Sequence, residues 1–117
     1  MIYFDKNGKA KVNRKEKYLY SFSGKTLAFV QNEYVYNLKG KQLGTIEDGW
    51  IRDLLGQPVF YSLERTGTGP IPPIPEIPPL PCIPEIPPIP AIPEIPHVKA
   101  IPSYSWSSLS FESFFEQ

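Results

Sequence analysis

The chain has 117 residues, a formal net charge of zero and a single cysteine, Cys82. This length allows one modest domain with an appendage, and a lone cysteine excludes an intrachain disulfide. No stretch approaches the ~20 apolar residues of a membrane span, and no concentrated basic face predicts binding to nucleic acid. Residues 1–66 carry a net charge of +4 and residues 67–117 one of −4. We therefore expect the two halves to attract each other, within a chain or between chains.

A sixteen-residue repeat runs through residues 1–62. Its glycines are evenly spaced, and an apolar residue stands five positions before each of them. The glycines are Gly8, Gly24, Gly40 and Gly56, and the apolar residues are Tyr3, Leu19, Val35 and Ile51. Self-similarity at a fixed period is typical of repeat architectures. The first copy diverges most, because lysines stand at Lys6 and Lys11 where the other copies are apolar.

Within each copy the pattern predicts a strand, a glycine turn and a second strand. Runs such as Tyr18–Phe22 and Leu27–Val30 are rich in the aromatic and β-branched residues that suit strands. Glycine allows turns with positive φ, and Asp48-Gly49 is a strong hairpin signal between copies. The sequence predicts an all-β domain over residues 1–62, with up to eight short strands in an up-and-down meander. Its four hairpins would share one core around a pseudo-fourfold axis.

The residues from Tyr36 to Val59 form a glycine-turn hairpin, an acidic-Gly link and a second glycine-turn hairpin. The residues from Trp106 to Phe115 follow a proline-rich tract. In these features the chain resembles the bacterial four-fold β-flower proteins over residues 1–62 and 103–117, although the wall-associated tyrosine–aspartate repeat proteins share similar hairpins. The resemblance implies the four-hairpin fold and assigns no activity to any residue.

Residues 63–69 are predicted to be a linker to a proline-rich tract, residues 70–102, here called the Ile-Pro segment. Polyproline II has three residues per turn and rises ~3.1 Å per residue. In this conformation the part from Pro70 to Pro96 would be a rigid rod of roughly 84 Å, and every third residue would lie on one edge. The edge here called the aliphatic ridge consists of Ile71, Ile74, Ile77, Leu80, Ile83, Ile86, Ile89, Ile92, Ile95, Val98 and Ile101. Glu76, Glu85 and Glu94 align on another edge, since nine residues make three turns.

The aliphatic ridge is predicted to be an interaction surface, because such a row of exposed branched side chains is unusual for a soluble monomer. Three alternatives would cover the ridge: the segment bends around its own domain, it packs against other copies, or it binds another protein. The residues expected to make the contacts are Ile74, Ile77, Leu80, Ile83, Ile86, Ile89, Ile92 and Ile95. A plain spacer and a ligand for SH3-like domains are alternative interpretations of the same prolines.

The tail, residues 103–117, is predicted to be an aromatic anchor with a short strand and a short helix. Residues 103–107 alternate polar and aromatic side chains with the period of a strand. The three phenylalanines that follow share one helical face, and Ser108 or Ser110 can cap that helix. The tail would bury its aromatic side chains in its own domain or a neighbour's, or would dock on another protein. The anchoring residues are Trp106, Phe111, Phe114 and Phe115.

No set of residues identifies a reaction, so the chain is not expected to be an enzyme. It has one histidine and lacks phosphate-loop, dinucleotide and zinc motifs, and we predict no catalytic residue, cofactor or metal site. Asp5 and Asp53 occupy equivalent repeat positions, where turn chemistry explains them better than acid–base catalysis. His97 is expected to be a solvated turn residue and Cys82 a small side chain at the edge of the segment.

The sequence therefore predicts a non-enzymatic structural or interaction protein in which a β-repeat platform carries a rigid spacer and an aromatic anchor. Self-association is expected, with another protein as the alternative partner and with neither nucleic acid nor membrane involved. The absence of a signal-peptide pattern favours a cytoplasmic location. An alternative function is a binding site for a small ligand or peptide at the centre of the repeats, where the equivalent residues Phe4, Tyr20, Tyr36 and Arg52 would line one face.

Overall fold

Each strand of the repeat domain pairs with the next, and the last pairs with the first, in a computed structural model that describes residues 1–117. The strands are β1 (Ile2–Phe4), β2 (Ala10–Lys15), β3 (Tyr18–Ser21), β4 (Thr26–Gln31), β5 (Tyr34–Tyr36), β6 (Gln42–Glu47), β7 (Trp50–Asp53) and β8 (Pro58–Tyr61). Phe4 pairs with Tyr61 and closes the antiparallel barrel. The predicted all-β meander of four hairpins is thereby confirmed.

The glycine turns of the hairpins are stabilised by polar side chains at equivalent positions. The Asp5 carboxylate accepts hydrogen bonds from the backbone N–H groups of Asn7 and Lys9, at 2.9 and 3.0 Å. Asp53 accepts the same two bonds in the fourth hairpin. Such side-chain bonds to the residues that follow are typical of turns. Asp5 and Asp53 are therefore turn residues, as the sequence predicted.

The core of the barrel consists of buried residues from all eight strands. The four apolar residues that precede the glycines by five positions are at most 2% exposed and belong to one cluster: Tyr3, Leu19, Val35 and Ile51. Because successive side chains of a strand point to opposite faces, the residues after them face the outside of the barrel. The centre of the repeats is thus packed with side chains.

A short helix, α1 (Phe111–Phe115), packs on the barrel beside the glycine turns. Ser110 is its N-cap, and the Ser110 side chain accepts a hydrogen bond from the backbone N–H of Ser113 at 3.1 Å. Phe114 is fully buried, and its ring centroid lies 5.8 Å from that of Phe60. The helix therefore completes the core of its own barrel.

The rest of the tail also packs on its own barrel. Trp106 is half-buried, with its ring 6.2 Å from that of Trp50 and 6.1 Å from that of Tyr61. Residues 103–107 form no strand, which corrects the sequence prediction. A closed barrel has no free edge to which a further strand could pair. Helix α1 and Trp106 thus pack on the chain's own barrel, and docking of the anchor on another protein stays a prediction.

The chain measures 36 × 35 × 22 Å along its principal axes. A straight rod of the predicted length does not fit these dimensions, so the Ile-Pro segment is not the long spacer that the sequence suggested. The structure contains no helix with the length and hydrophobicity needed to cross a membrane.

Candidate interaction site: the Ile-Pro segment and the barrel wall

The Ile-Pro segment runs around the barrel and contacts all four hairpins in chain order. Three of its backbone N–H groups, and that of the residue directly after it, donate hydrogen bonds to the carbonyl oxygens of the four repeat glycines, over distances of 2.8–3.0 Å. The donors are Glu76, Glu85, Glu94 and Ser103, and the acceptors are Gly8, Gly24, Gly40 and Gly56. Donors nine residues apart thus meet acceptors sixteen residues apart. One nine-residue unit of the segment corresponds to one hairpin of the barrel.

The glutamates of the segment make a second bond to the barrel through their carboxylates. The backbone N–H of Ala10 donates to Glu76 at 2.8 Å, that of Thr26 to Glu85 at 2.9 Å, and that of Gln42 to Glu94 at 2.9 Å. The bond from Thr26 lowers the pKa of the Glu85 carboxyl, because it stabilises the charged form. The edge of the segment that carries Glu76, Glu85 and Glu94, here called the glutamate edge, therefore holds the segment on the barrel. The aliphatic ridge does not.

The fourth hairpin is fastened differently. Pro58 stands where the other hairpins have the N–H group that binds a carboxylate, and Ser103 stands where the segment has glutamate elsewhere. Here the buried guanidinium of Arg52 donates to the backbone carbonyls of Gly56, at 3.0 Å, of Ser103, at 3.2 Å, and of Thr68. Burial lowers the pKa of Arg52. Arg52 joins the two ends of the segment, since Thr68 precedes it and Ser103 follows it.

The repeat glycines allow the segment to approach the turns closely. A Cβ atom added at Gly24 would lie 2.7 Å from the carbonyl oxygen of Ile83, and one added at Gly8 would lie 3.0 Å from that of Ile74. The φ angles of these two glycines are +90° and +79°, which L side chains rarely adopt. The regularly spaced glycines are thus needed both for the turns and for the close contact between the turns and the segment.

The aliphatic ridge faces solvent along its whole length. Its eleven side chains are 87–97% exposed. The prediction that the ridge needs a cover therefore stays open, while the expectation that the chain's own domain provides the cover is wrong. The segment bends around its domain. The hydrogen bonds that the backbone and the carboxylates of Glu76, Glu85 and Glu94 make with the barrel turn the ridge outwards.

The residues predicted to form a ligand face lie on the outer wall, beneath the segment, and not at the centre of the barrel. Tyr20, Tyr36 and Arg52 are 3–5% exposed, and Phe4 is 1% exposed. Burial raises the pKa of both tyrosine hydroxyls. The outward alternation of the strands explains the error, because the residue after each core position faces away from the axis. In this structure Tyr20, Tyr36 and Arg52 support the segment and line no pocket, whereas Phe4 contributes to the lining of a surface pocket that also includes Pro78 of the segment.

A cavity of about 500 Å³ lies at the end of the barrel opposite the glycine turns. Tyr3 and Ile46 contribute to its lining, together with Arg14. Burial raises the pKa of the Tyr3 hydroxyl, and Arg14 partly offsets the rise. Its acidic residues are Glu16, Glu33, Glu47, Asp48 and Glu64.

Several contacts of the segment were missed from the sequence. The Tyr61 hydroxyl donates to the carbonyl of Pro73 at 3.1 Å. The backbone N–H of Cys82 donates to the carbonyl of Phe22 at 2.9 Å, and that of His97 to the side chain of Gln42 at 2.7 Å. The side chains of Cys82 and His97 are exposed. One feature of the sequence could have indicated these contacts: three glutamates recur every nine residues, and each of them corresponds to one hairpin.

Comparison with known proteins gives one match. The family model described as "4-fold beta flower protein" matches residues 1–115. The match includes the barrel, the Ile-Pro segment and helix α1. No curated protein and no solved structure matches the chain.

Proposed function

The chain belongs to the 4-fold beta flower family, and on that premise we propose that it is a non-enzymatic structural or interaction protein that self-associates. The barrel is the platform, the aromatic tail anchors the chain's end to it, and the Ile-Pro segment presents the association surface. One observation carries this proposal. The aliphatic ridge places eleven exposed branched side chains on a segment that many hydrogen bonds hold against the barrel.

The apolar area of the ridge is of the size that a protein interface requires. Burying one such side chain is worth about 1.5–3 kcal/mol, which at ~25 cal/mol per Å² corresponds to roughly 60–120 Å². Eleven side chains therefore present roughly 700–1,300 Å². The largest apolar patch on a monomer is about 300–600 Å², and a stable interface buries ~800 Å² of each partner. The summed area exceeds the first value and is comparable with the second, but because the segment runs around the barrel, more than one partner molecule is needed to cover all of it.

A second copy of the chain is the partner that fits this surface best. Two identical ridges share one spacing, and a two-fold axis places the same patch on both sides of an interface. Since the chain has zero formal net charge, long-range repulsion between copies is small. An anionic membrane fits less well, because the segment carries three glutamates and one lysine, whereas such membranes attract basic segments.

Polyproline II is the conformation that we propose for the Ile-Pro segment. Its contacts with the barrel recur every nine residues, and nine residues are three turns of polyproline II. This geometry accounts for a ridge that stays on one side while the glutamates stay on another.

The test of self-association is the molecular mass in solution as a function of concentration, measured by sedimentation or light scattering. The variant replaces Ile77, Ile86 and Ile95 with Gln, because these side chains are 91–95% exposed. We expect the wild type to form dimers or larger assemblies and the variant to need at least about tenfold more protein to do so. Tyr104→Ser is the matched control, because Tyr104 is exposed but lies outside the ridge. A wild type that is monomeric at every concentration overturns the proposal.

A binding site for a small ligand is the second candidate, and the cavity of about 500 Å³ at the open end of the barrel favours it. The acidic residues around the cavity suit a cationic ligand. Thermal unfolding with and without an aliphatic diamine tests it, since a ligand that binds the folded state raises the melting temperature. The rise should disappear in a Glu16→Gln, Glu64→Gln variant and remain in Glu112→Gln. No rise in the wild type eliminates this candidate for diamines.

A further inference from the structure

The barrel wall presents the same backbone acceptor in four hairpins and the same backbone donor in three of them. In each hairpin the glycine carbonyl accepts an N–H bond, from the segment in the first three and from Ser103, directly after it, in the fourth. In three hairpins the N–H group two residues after the glycine donates to a carboxylate of the segment. In the second hairpin, for example, Gly24 accepts from the backbone of Glu85 while Thr26 donates to its side chain. One glutamate therefore satisfies both groups of one hairpin.

A third hydrogen bond to the barrel is donated, in two of the units, by the backbone N–H of the residue three positions before the glutamate. The N–H group of Cys82 donates to the carbonyl of Phe22, and that of Ala91 donates to Leu38, both at 2.9 Å. Proline has no N–H group, so these positions favour a residue other than proline. The first hairpin departs from this rule, because Pro73 stands there and instead accepts a bond from the Tyr61 hydroxyl.

The wall makes no use of the side chains of the aliphatic ridge, which remain 87–97% exposed. The features that it does contact are an extended backbone, N–H groups at fixed positions and a carboxylate at every ninth residue. Most of the barrel's hydrogen bonds to the segment come from backbone atoms, and the side chains of Tyr61 and Gln42 add further bonds. They are set by the hairpins and do not depend on which chain supplies the segment.

We propose that the barrel wall is a binding site for extended proline-rich peptides that carry glutamate at nine-residue intervals, and that in this structure the chain's own Ile-Pro segment occupies it. The segment is then a tethered ligand. A tethered ligand competes at an effective concentration in the millimolar range, so a separate peptide binds only when the tethered one is weakened. Specificity comes from the spacing of the carboxylates along the peptide.

The test uses the full chain with Glu76, Glu85 and Glu94 replaced by Lys. These changes remove the carboxylates and place like charges near Lys9, whose amine lies 3.7 Å from Glu76, and near Lys25. The probe is a fluorescent synthetic peptide of residues 70–102 with Cys82→Ser. We expect saturable binding by fluorescence anisotropy, and binding to the wild-type chain at least about 100-fold weaker because its own segment competes.

Two further peptides test what the wall recognises. The first has one additional proline before each of the last two glutamates, which changes their spacing from nine to ten residues. We expect it to bind at least about tenfold more weakly, because it cannot place all its carboxylates on the N–H groups at once. The second replaces Ile77, Ile86 and Ile95 with Gln, and its affinity should stay within about threefold of the natural peptide's.

Three outcomes overturn the proposal: a folded host that binds no peptide, equal affinity for nine- and ten-residue spacing, or loss of binding on substitution of the ridge. If the triple variant does not fold, the single variant Glu85→Lys replaces it. The resonance of the Thr26 N–H group should then shift on addition of a peptide of residues 79–88 and not on addition of the same peptide with Glu85→Gln.

Discussion

The carboxylate of Glu85 accepts a hydrogen bond from the backbone N–H of Thr26, with 2.9 Å between oxygen and nitrogen. The two residues are 59 positions apart in the chain, and the bond fastens the middle of the Ile-Pro segment to the second hairpin. It stabilises the ionised carboxylate, and the nearby amine of Lys25 acts in the same direction. The pKa of Glu85 is therefore lower in the folded protein than its ordinary value of 4.5.

Acid should weaken the contact between the segment and the second hairpin. Because the pKa is depressed in the folded state, the unfolded state binds the proton more readily, and stability rises with pH across this range. The contribution is fully present above pH 4.5 and is lost as the pH falls through the lowered pKa. We expect Glu85→Gln to be less stable than the wild type at pH 7, with a difference that shrinks as the pH falls through the lowered pKa of Glu85.

The measurement is the denaturant midpoint of both proteins from pH 7 to pH 3. Hydrogen exchange of the Thr26 N–H group reports the same contact locally and should be faster in the variant at neutral pH. Glu112→Gln is the control, because no hydrogen bond is made by the Glu112 side chain and this variant should track the wild type. A difference that persists unchanged at pH 3 would show that the charge is not responsible.

Gly24→Ala tests the close approach of the segment to a turn, and Gly67→Ala is the matched control. Both glycines have positive φ, +90° and +75°, so both substitutions incur the roughly 1–2 kcal/mol of the left-handed conformation. Only at Gly24 does the new Cβ meet the segment, 2.7 Å from the Ile83 carbonyl oxygen; at Gly67 the nearest atom is 3.7 Å away. Urea unfolding should show a larger loss of stability for Gly24→Ala. Equal losses would mean that the segment moves away from the new Cβ atom without any further loss of stability.

The barrel was predictable from the sequence because its signals are local. Each sixteen-residue copy contains its own turn glycine and its own core residue, and the four copies support one another. Closure follows from the number of hairpins and from the pairing of Phe4 with Tyr61. The Asp5 turn was also predictable, since a short carboxylate before a glycine bonds to nearby backbone.

The course of the Ile-Pro segment was not predictable in the same way. The aliphatic ridge was the strongest pattern, and hydrophobic side chains usually face the protein. Here backbone hydrogen bonds of Glu76, Glu85 and Glu94 decide the orientation, and their acceptors are backbone carbonyls, which a sequence does not display. The outward position of Tyr20 was missed for a similar reason, because the repeat shows which residues are equivalent but not which way they face.

Phe114→Ala should remove the central contact between the tail and the barrel. Phe114 is fully buried and belongs to the main core cluster, and truncating a buried phenylalanine costs about 3–5 kcal/mol. Tyr104→Ala is the control, because Tyr104 is 73% exposed and surface substitutions usually stay within about 0.5 kcal/mol. Guanidinium unfolding followed by tryptophan fluorescence measures both. Similar losses for the two variants would contradict the role of helix α1 in the core.

Arg52→Lys should release one end of the Ile-Pro segment while leaving its middle in place. The guanidinium reaches the carbonyls of both Thr68 and Ser103, whereas an ammonium is a point charge without the planar fork that spans two acceptors. Each lost bond to a charged group is worth about 1.5–3 kcal/mol.

Hydrogen exchange distinguishes a local release from a general loss of stability. The N–H of Ser103, which donates to the carbonyl of Gly56, should exchange faster in Arg52→Lys, while that of Glu85 keeps its protection. Arg65→Lys is the control, because Arg65 bonds only within its own turn and its substitution should leave Ser103 protected. Equal acceleration at Ser103 and Glu85 would mean that the segment leaves the barrel as one unit and that Arg52 does not act as a separate fastening of its ends.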